Sequence, residues 1–254
     1  MSDVGELSVV RVSVDTTACD GPTVGETDGI SMTHSTIDAA PDAAADADAI
    51  LADAAVARSE ALGGVIRASD AVCVVSDASA DAATTARTLR RAVNDGWDDF
   101  PVPAGEFARL DALADTDFDD PTLRAHLRGM TTTARECVDA RAGFIGLVEE
   151  RHETFLTGKG VDLSDRERGR AVCAHGITDD GAFVVDDLAT SDRGGTVTAD
   201  LDFYAGAPLV AGGERIGMLC VADDGGDGFD ETDTQVLERL AEQTSRYIDR
   251  YGTS

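Results

Sequence analysis

Residues 170–224 read RAVCAHGITDDGAFVVDDLATSDRGGTVTADLDFYAGAPLVAGGERIGMLCVADD. Within this stretch, residues 204–211 and 215–222 are two apolar runs rich in β-forming side chains. Gly212 and Gly213 lie between them and supply the positive φ angles that a tight reversal needs. The pattern predicts a β-hairpin, with Pro208 at an edge or a bulge because proline cannot donate a hydrogen bond to a ladder.

Four segments of this stretch resemble, in order and spacing, the consecutive signatures of a sensory subgroup of GAF domains. They are CAHG at 173–176, VVDDLA at 184–189, FYAGAPL at 203–209 and GMLCVAD at 217–223. The resemblance extends over about residues 106–251, a little over half of the chain. It implies an α+β fold in which the first and last helices pack on one face of an antiparallel sheet and a ligand pocket lies on the other.

The resemblance also places the CAHG helix and the FYAGAPL strand on opposite sides of the pocket. Strand alternation sends Phe203 and Tyr204 to opposite faces of the sheet, so only one of them lines the pocket. We expect Tyr204 there, with its hydroxyl meeting a polar ligand or His175, and Phe203 in the core. The ligand-binding residues that we predict are Cys173, His175, Asp186, Tyr204, Gly206 and Pro208.

GAF relatives bind bilins, haem or cyclic nucleotides, or reduce free methionine sulfoxide. The chain lacks the Asn-Lys-Phe-Asp-Glu signature of cyclic-nucleotide GAF domains and the Cys-His dipeptide of bilin attachment, which leaves the ligand and any cofactor unknown. It also contains no P-loop, no HExxH and no Ser, His and Asp set with helpful spacing, so we do not predict an enzyme.

The resulting prediction is a sensory signal-transduction module that binds a small molecule, forms a homodimer, or does both. It would relay its state to a signalling partner such as a histidine kinase or a regulator, because we recognise no kinase, cyclase or DNA-binding segment in the sequence. The alternative is a thiol-based redox sensor, or an enzyme similar to methionine sulfoxide reductase, on the same fold.

The cysteines give little support to metal binding or to the thiol alternative. The five cysteines contain no CxxC pair, so neither a disulfide framework nor a zinc site is indicated. On a helix, Cys173 and His175 point about 200° apart and cannot chelate one metal ion. Redox sensing by Cys173, Cys220 or Cys137 requires an exposed thiolate of low pKa, and no cationic cluster lies near them in sequence.

Charge limits the classes of partner. The 254 residues carry a formal net charge of −28, and Lys159 is the only lysine among 21 basic residues. This balance opposes binding to nucleic acid and to anionic membranes. Acid spread over both halves is typical of proteins from a salt-rich cytoplasm, and no secretory signal is visible, so we predict a halophilic, cytoplasmic protein.

The sequence of residues 1–104 indicates a small or partly disordered α/β segment, which precedes a GAF domain at 105–254. Residues 8–15 alternate like a half-buried strand, residues 16–53 are poor in large apolar side chains, and the alanine-rich portion at 39–57 favours a weak helix or a linker. Residues 71–77 favour a buried strand of a parallel sheet, followed by a helix at 82–93. Residues 98–105, DDFPVPAG, contain two prolines and a glycine that break regular structure, so we place the domain boundary there.

The order of strand, acid and helix resembles a response-regulator receiver, in which the acid that ends the third strand accepts phosphate. Asp77 would be that acid. Asp15 supplies one acid where an acidic pair would hold Mg²⁺, and we expect no fifth strand with its lysine. The prediction is a receiver remnant without phosphorylation, or an unclassified α/β segment.

Residues typical of helix starts, strands and turns predict the other elements of the GAF region. Pro121 after two acids predicts the start of a helix, and residues 143–148 and 153–157 predict two strands joined by a turn. Ser164 and Glu167 form a capping pattern for a helix that runs toward His175. Asp230 caps a last helix whose apolar stripe is wide enough for packing and for dimer contact.

Overall fold

The computed structural model describes residues 6–14, 29–57, 59–76, 80–191, 197, 200–225 and 229–252. The chain divides into two units, Met1–Phe107 and Ala108–Ser254. A five-stranded sheet forms the centre of the first unit, and a six-stranded sheet forms the centre of the second. None of the helices in these described ranges is both long and apolar enough to cross a bilayer.

All strands of the first sheet are parallel, in the order β2-β1-β3-β4-β5. This is the doubly wound order of flavodoxin-like folds, which response-regulator receivers also have. The strands are β1 Leu7–Ser13, β2 Ile30–Thr36, β3 Ala49–Ala52, β4 Val72–Val75 and β5 Pro101–Pro103. The helices are α1 Ala40–Ala44, α2 Ala54–Ala57, α3 Glu60–Ala68 and α4 Ala82–Asp95, and α5 Glu106–Ala114 extends into the second unit.

The third strand lies in the alanine-rich stretch that predicted a weak helix or a linker, and that prediction is wrong. All four residues of β3 are at most 1% exposed, because the strand lies between β1 and β4 in the middle of the sheet. Burial on both faces overrides the helix preference of alanine. The strand at Val72–Val75 is therefore the fourth, and Asp77, the predicted phosphate acceptor, lies outside the described residues.

The acid that follows the third strand is Asp53, and its carboxylate forms an ion pair with Arg11. The Arg11 Nη2 atom donates to Asp53 Oδ1 at 2.9 Å, and the Arg11 side chain is only 2% exposed. The predicted absence of a strand around residues 98–105 is also wrong, because β5 pairs with β4. Two prolines are tolerated in β5 because it lies at the edge of the sheet.

The second sheet is antiparallel, in the order β8-β7-β6-β11-β10-β9. Its strands are β6 Ala142–Val148, β7 His152–Lys159, β8 Arg166–Glu167, β9 Phe183–Val185, β10 Phe203–Ala211 and β11 Glu214–Asp223. The predicted hairpin is confirmed: Gly212 and Gly213 join β10 to β11 with φ angles of 58° and 90°.

Two long helices cover one face of this sheet, as predicted. They are α6 Pro121–Cys137 and α8 Glu231–Tyr251, and each begins after an aspartate whose carboxylate accepts backbone N–H groups of the first turn. Leu127 of α6 and Leu237 of α8 belong to the same core as Phe203 of β10. The short helix α7, Val172–Gly176, packs against β6, β10 and β11.

The predicted helix from Ser164 toward His175 is wrong. Residues 166–167 form β8, a 3₁₀ turn follows at 168–170, and α7 begins without a capping side chain. The reason is Arg168, which is fully buried and donates from Nη1 to the carbonyls of Glu149 and Glu150 at 3.2 and 3.4 Å. These bonds fix the segment beside the turn between β6 and β7.

Strand β10 is partly an edge strand. In the described part of the chain, β9 pairs only with residues 204–206, so residues 207–211 have no strand on that side. Pro208 has no N–H group, the Val210 N–H donates to Ser245 Oγ at 2.9 Å, and the Gly212 N–H donates to Asp249 Oδ1 at 3.2 Å. Helix α8 therefore supplies acceptors where a neighbouring strand is missing.

Candidate functional site

The hydroxyl of Tyr204 lies in a buried cluster on the face of the sheet opposite to Phe203. It is 3.3 Å from the Sγ atom of Cys173 on α7 and 3.2 Å from the Sγ atom of Cys220 on β11. The two sulfur atoms are 3.7 Å apart. Because Tyr204, Cys173 and Cys220 are each at most 1% exposed, these contacts connect α7 to the hairpin in an environment shielded from solvent.

Burial controls the protonation of this cluster. It raises the pKa of the Tyr204 hydroxyl and of the Cys173 thiol well above their usual values. The two thiols raise the Tyr204 pKa further, and Cys220 and Glu153 raise the Cys173 pKa further. Both groups are therefore protonated at neutral pH. A protonated, buried thiol is a weak nucleophile, so this geometry does not favour attack by Cys173 on a substrate.

Glu153 of β7 adds a buried carboxylate beside the cluster. Its residue exposure is 2%, and none of the described residues donates a hydrogen bond of standard geometry to its Oε1 atom. Burial raises the Glu153 pKa, whereas Cys173 and Arg166 lower it. The carboxylate lies directly over Gly146 of β6, where a Cβ atom would be 2.6 Å from Oε1. Glycine at this position therefore makes room for the acid.

Three aromatic rings belong to the same cluster of side chains as the carboxylate. Phe144 and Phe155 meet edge to face with ring centroids 5.7 Å apart, and the Tyr204 ring is 6.3 Å from that of Phe144. The guanidinium of Arg166, on β8, lies 4.9 Å from the centre of the Phe155 ring, and its Nε atom lies 3.5 Å from Glu153 Oε2.

These groups enclose a pocket that Val172 and Val197 complete. The space among them is too narrow to hold a water molecule. The pocket is therefore closed in this structure, with the Arg166 side chain among its walls.

The structure brings together three of the six predicted ligand-binding residues. Cys173 and Tyr204 line the pocket, and a Cβ atom on Gly206 would lie 2.3 Å from the Tyr204 hydroxyl. His175 is half-buried on α7 and Asp186 is exposed after β9, and neither is among the residues that line this pocket. The expected contact of the Tyr204 hydroxyl with His175 is replaced by contacts with the two thiols.

Pro208 lines a different cavity, an open cleft of about 520 Å³ between β10 and α8. Its polar walls include Glu238 and Glu242 of α8 and an ion pair between Asp180 and Arg215, at 2.6 Å. Ligand binding by His175, Asp186 and Pro208 stays a prediction. In the described ranges, no group of three or more His, Cys, Asp or Glu side chains is arranged to hold a metal ion.

The comparison with protein families matches the second unit of the chain. A family model described as GAF domain matches residues 121–249, from the start of α6 to the last turn of α8. No curated protein matches the chain.

Three solved structures illustrate the resemblance. Free methionine-R-sulfoxide reductase from Neisseria meningitidis, in complex with its substrate, is 22% identical over 56% of this chain and 86% of its own, with a TM-score of 0.46. The type II enzyme from Thermoplasma acidophilum is 12% identical over 53% of this chain and 97% of its own, with a TM-score of 0.47. A GAF domain/HD domain protein from Geobacter sulfurreducens is 13% identical over 51% of this chain and 93% of its own, with a TM-score of 0.43.

At these identities and TM-scores the solved structures carry no inference about activity. The family model covers about half of the chain, and its limits coincide with the helices that flank the antiparallel sheet. The chain therefore belongs to the GAF domain family.

Proposed function

We propose that this protein is a cytoplasmic sensory module that binds a small molecule in the pocket beside Tyr204 and relays the bound state to a signalling partner, such as a histidine kinase or a regulator. The observation that carries the proposal is the buried Oε1 atom of Glu153, which accepts no hydrogen bond of standard geometry from the described residues. Leaving such an acceptor unsatisfied costs about 1 to 3 kcal/mol, more for a charged group. A ligand with a donor group removes that cost.

The packing around the pocket supplies a route for the signal. Tyr204 lines the pocket on one face of β10, and its neighbours Phe203 and Ala205 contact the core beneath α8 on the other face. A ligand that binds an open pocket more tightly than the closed one shifts the population toward the open state. Displacement of α7 would then reach α8 through β10.

A homodimer through α6 and α8 fits this route. His126 of α6 stacks on Tyr247 and Tyr251 of α8, with ring centroids 4.1 and 5.0 Å away, and all three side chains are half-buried. Half-buried aromatic groups are enriched in protein interfaces. Light scattering of wild type and of a Tyr251→Asp variant tests this, and a monomeric wild type would refute the dimer.

Protein purified from its own cells tests ligand binding directly. Absorbance spectra, native mass and mass spectrometry of the denatured supernatant would reveal a retained molecule. We expect it in wild type and in the control Glu167→Gln, which changes an exposed acid on β8, and not in Glu153→Leu. A ligand that Glu153→Leu retains equally would place binding elsewhere. No ligand in any sample, and no stabilisation of wild type by any metabolite in a broad set, would reject the binding role.

A dithiol switch is the second candidate, favoured by the 3.7 Å separation of Cys173 Sγ and Cys220 Sγ. A hydroperoxide would take two electrons from the two thiols, giving one S–S bond, an alcohol and water. Burial opposes the reaction because it raises the Cys173 pKa. A response to signal that survives in both Cys173→Ser and Cys220→Ser would exclude this switch.

A further inference from the structure

The pocket of the GAF domain already contains a cationic group, and it belongs to Arg166. The guanidinium lies against the Phe155 ring at 4.9 Å, Nε lies 3.5 Å from Glu153 Oε2, and Nη2 donates to the Val197 carbonyl at 3.0 Å. The head of this side chain thus marks a position where a planar cation fits.

The contact between Arg166 and Glu153 is longer than a charge-assisted hydrogen bond. Charge-assisted N–H···O bonds are about 2.7 to 2.9 Å long, and a carboxylate can accept two parallel bonds from one guanidinium. Here Nε approaches Oε2 at 3.5 Å, while Oε1 accepts no hydrogen bond of standard geometry from the residues that the structure describes. The carboxylate therefore has capacity for a cation that approaches both oxygens.

The remaining walls favour the same class of ligand. Phe144, Phe155 and Tyr204 line the pocket together with Glu153, and the faces of aromatic rings attract cations. The net charge of −28 raises the local concentration of cations around the molecule. An anionic ligand would have to compete with Glu153 for the guanidinium of Arg166.

We propose that the pocket recognises a small organic monocation with a planar guanidinium or amidinium head, which displaces Arg166 from Glu153 and from the Phe155 ring. This inference rests on the proposed sensory function and specifies its ligand class. Arg166 has a way out of the pocket, because it lies on the two-residue edge strand β8 and its side chain is 17% exposed.

Displacement would also change the protein beyond the pocket. When Arg166 leaves, its hydrogen bond to Val197 is lost, and the Glu153 carboxylate exchanges a poor intramolecular partner for the ligand. Arg166 is thus an internal competitor, and its removal should raise the affinity for a free cation rather than lower it.

Titration calorimetry with methylguanidinium and acetamidinium chlorides, at ionic strength held constant with NaCl, tests the proposal. Acetamide and acetate serve as neutral and anionic probes of similar size. We expect Arg166→Ala to bind methylguanidinium about tenfold or more tightly than wild type, and Glu153→Gln to bind it about tenfold or more weakly. The exposed control Glu167→Gln should match wild type.

Circular dichroism establishes that each variant is folded. Should Glu153→Gln not fold, Glu153→Asp withdraws the carboxylate by one methylene, and the same loss of affinity is expected. Cation affinity that is equal in wild type and Glu153→Gln, or absent in folded Arg166→Ala, would overturn the proposal.

The outcomes separate this proposal from the sensory function on which it rests. Binding of acetamide or acetate that depends on Glu153, without binding of either cation, would reject the ligand class and leave small-molecule sensing in place. Failure of every probe together with the absence of a retained natural ligand would reject both.

Discussion

The opposite orientations of Phe203 and Tyr204 predict very different costs for two single substitutions. Phe203 is 2% exposed, lies in the core beneath α6 and α8, and contacts the Phe229 ring with centroids 5.0 Å apart. Phe203→Ala leaves a cavity and should lower the free energy of unfolding by about 3 to 5 kcal/mol. Tyr204→Phe removes only a hydroxyl whose two partners are thiols, so it should cost about 0.5 to 1.5 kcal/mol.

Equilibrium urea unfolding at fixed high salt, followed by far-UV circular dichroism, measures both costs. The midpoint of the transition that belongs to the GAF unit should fall clearly for Phe203→Ala and little for Tyr204→Phe, with m-values unchanged. Arg246→Ala, which breaks only an exposed ion pair with Glu242, is the control and should stay within about 0.5 kcal/mol. A tolerated Phe203→Ala together with a strongly destabilised Tyr204→Phe would show that the two faces are exchanged.

Three further results are expected. The melting temperature should rise from 0.1 to 1 M NaCl, because the Debye length falls from about 10 to about 3 Å and screens the charge of −28; a flat or falling curve would contradict this. Burial raises the Glu153 pKa in the fold, so the contribution of Glu153 to stability is present below its unfolded pKa and is lost as pH rises through its folded pKa. The melting temperature of Glu153→Gln minus that of wild type should therefore grow with pH above about 4.5. A difference that does not change with pH would refute this prediction. Among the four cysteines that the structure describes, iodoacetamide followed by peptide mapping should label exposed Cys137 first. It should reach Cys73, whose pKa burial raises to about 12, and the Cys173/Cys220 pair only on unfolding; early labelling of Cys73 would contradict the buried position.

The elements that the sequence predicts well are those with strong local chemistry. Gly212 and Gly213 fix the hairpin, and the aspartates at 120 and 230 fix the starts of α6 and α8. Two of the strands that sequence reasoning misses, β3 and β5, owe their conformation to their places in the sheet. An Ala-Ile-Leu-Ala segment forms a strand only because it is buried between two others, and a Pro-Val-Pro segment forms one only because it is at an edge.

The candidate site divides in the same way. Cys173 and Tyr204 lie in recognisable motifs, whereas Glu153 and Arg166 meet only because they are register partners of β7 and β8. A two-residue strand such as β8 has no periodicity from which that register follows. One signal was present in the sequence: Gly146 interrupts an otherwise apolar strand, and glycine inside a strand indicates the close approach of another group.

The lack of free backbone donors along residues 208–212 affects how copies of this protein can associate. An open strand edge is a template onto which a strand of another molecule can add, and such addition is the first step toward fibres. Here the missing N–H of Pro208 and the two N–H groups bonded to Ser245 and Asp249 leave that template without donors at three successive outward positions. Contacts between copies are thereby directed away from this part of the β10 edge, and α8 protects the protein from aggregation as well as completing its core.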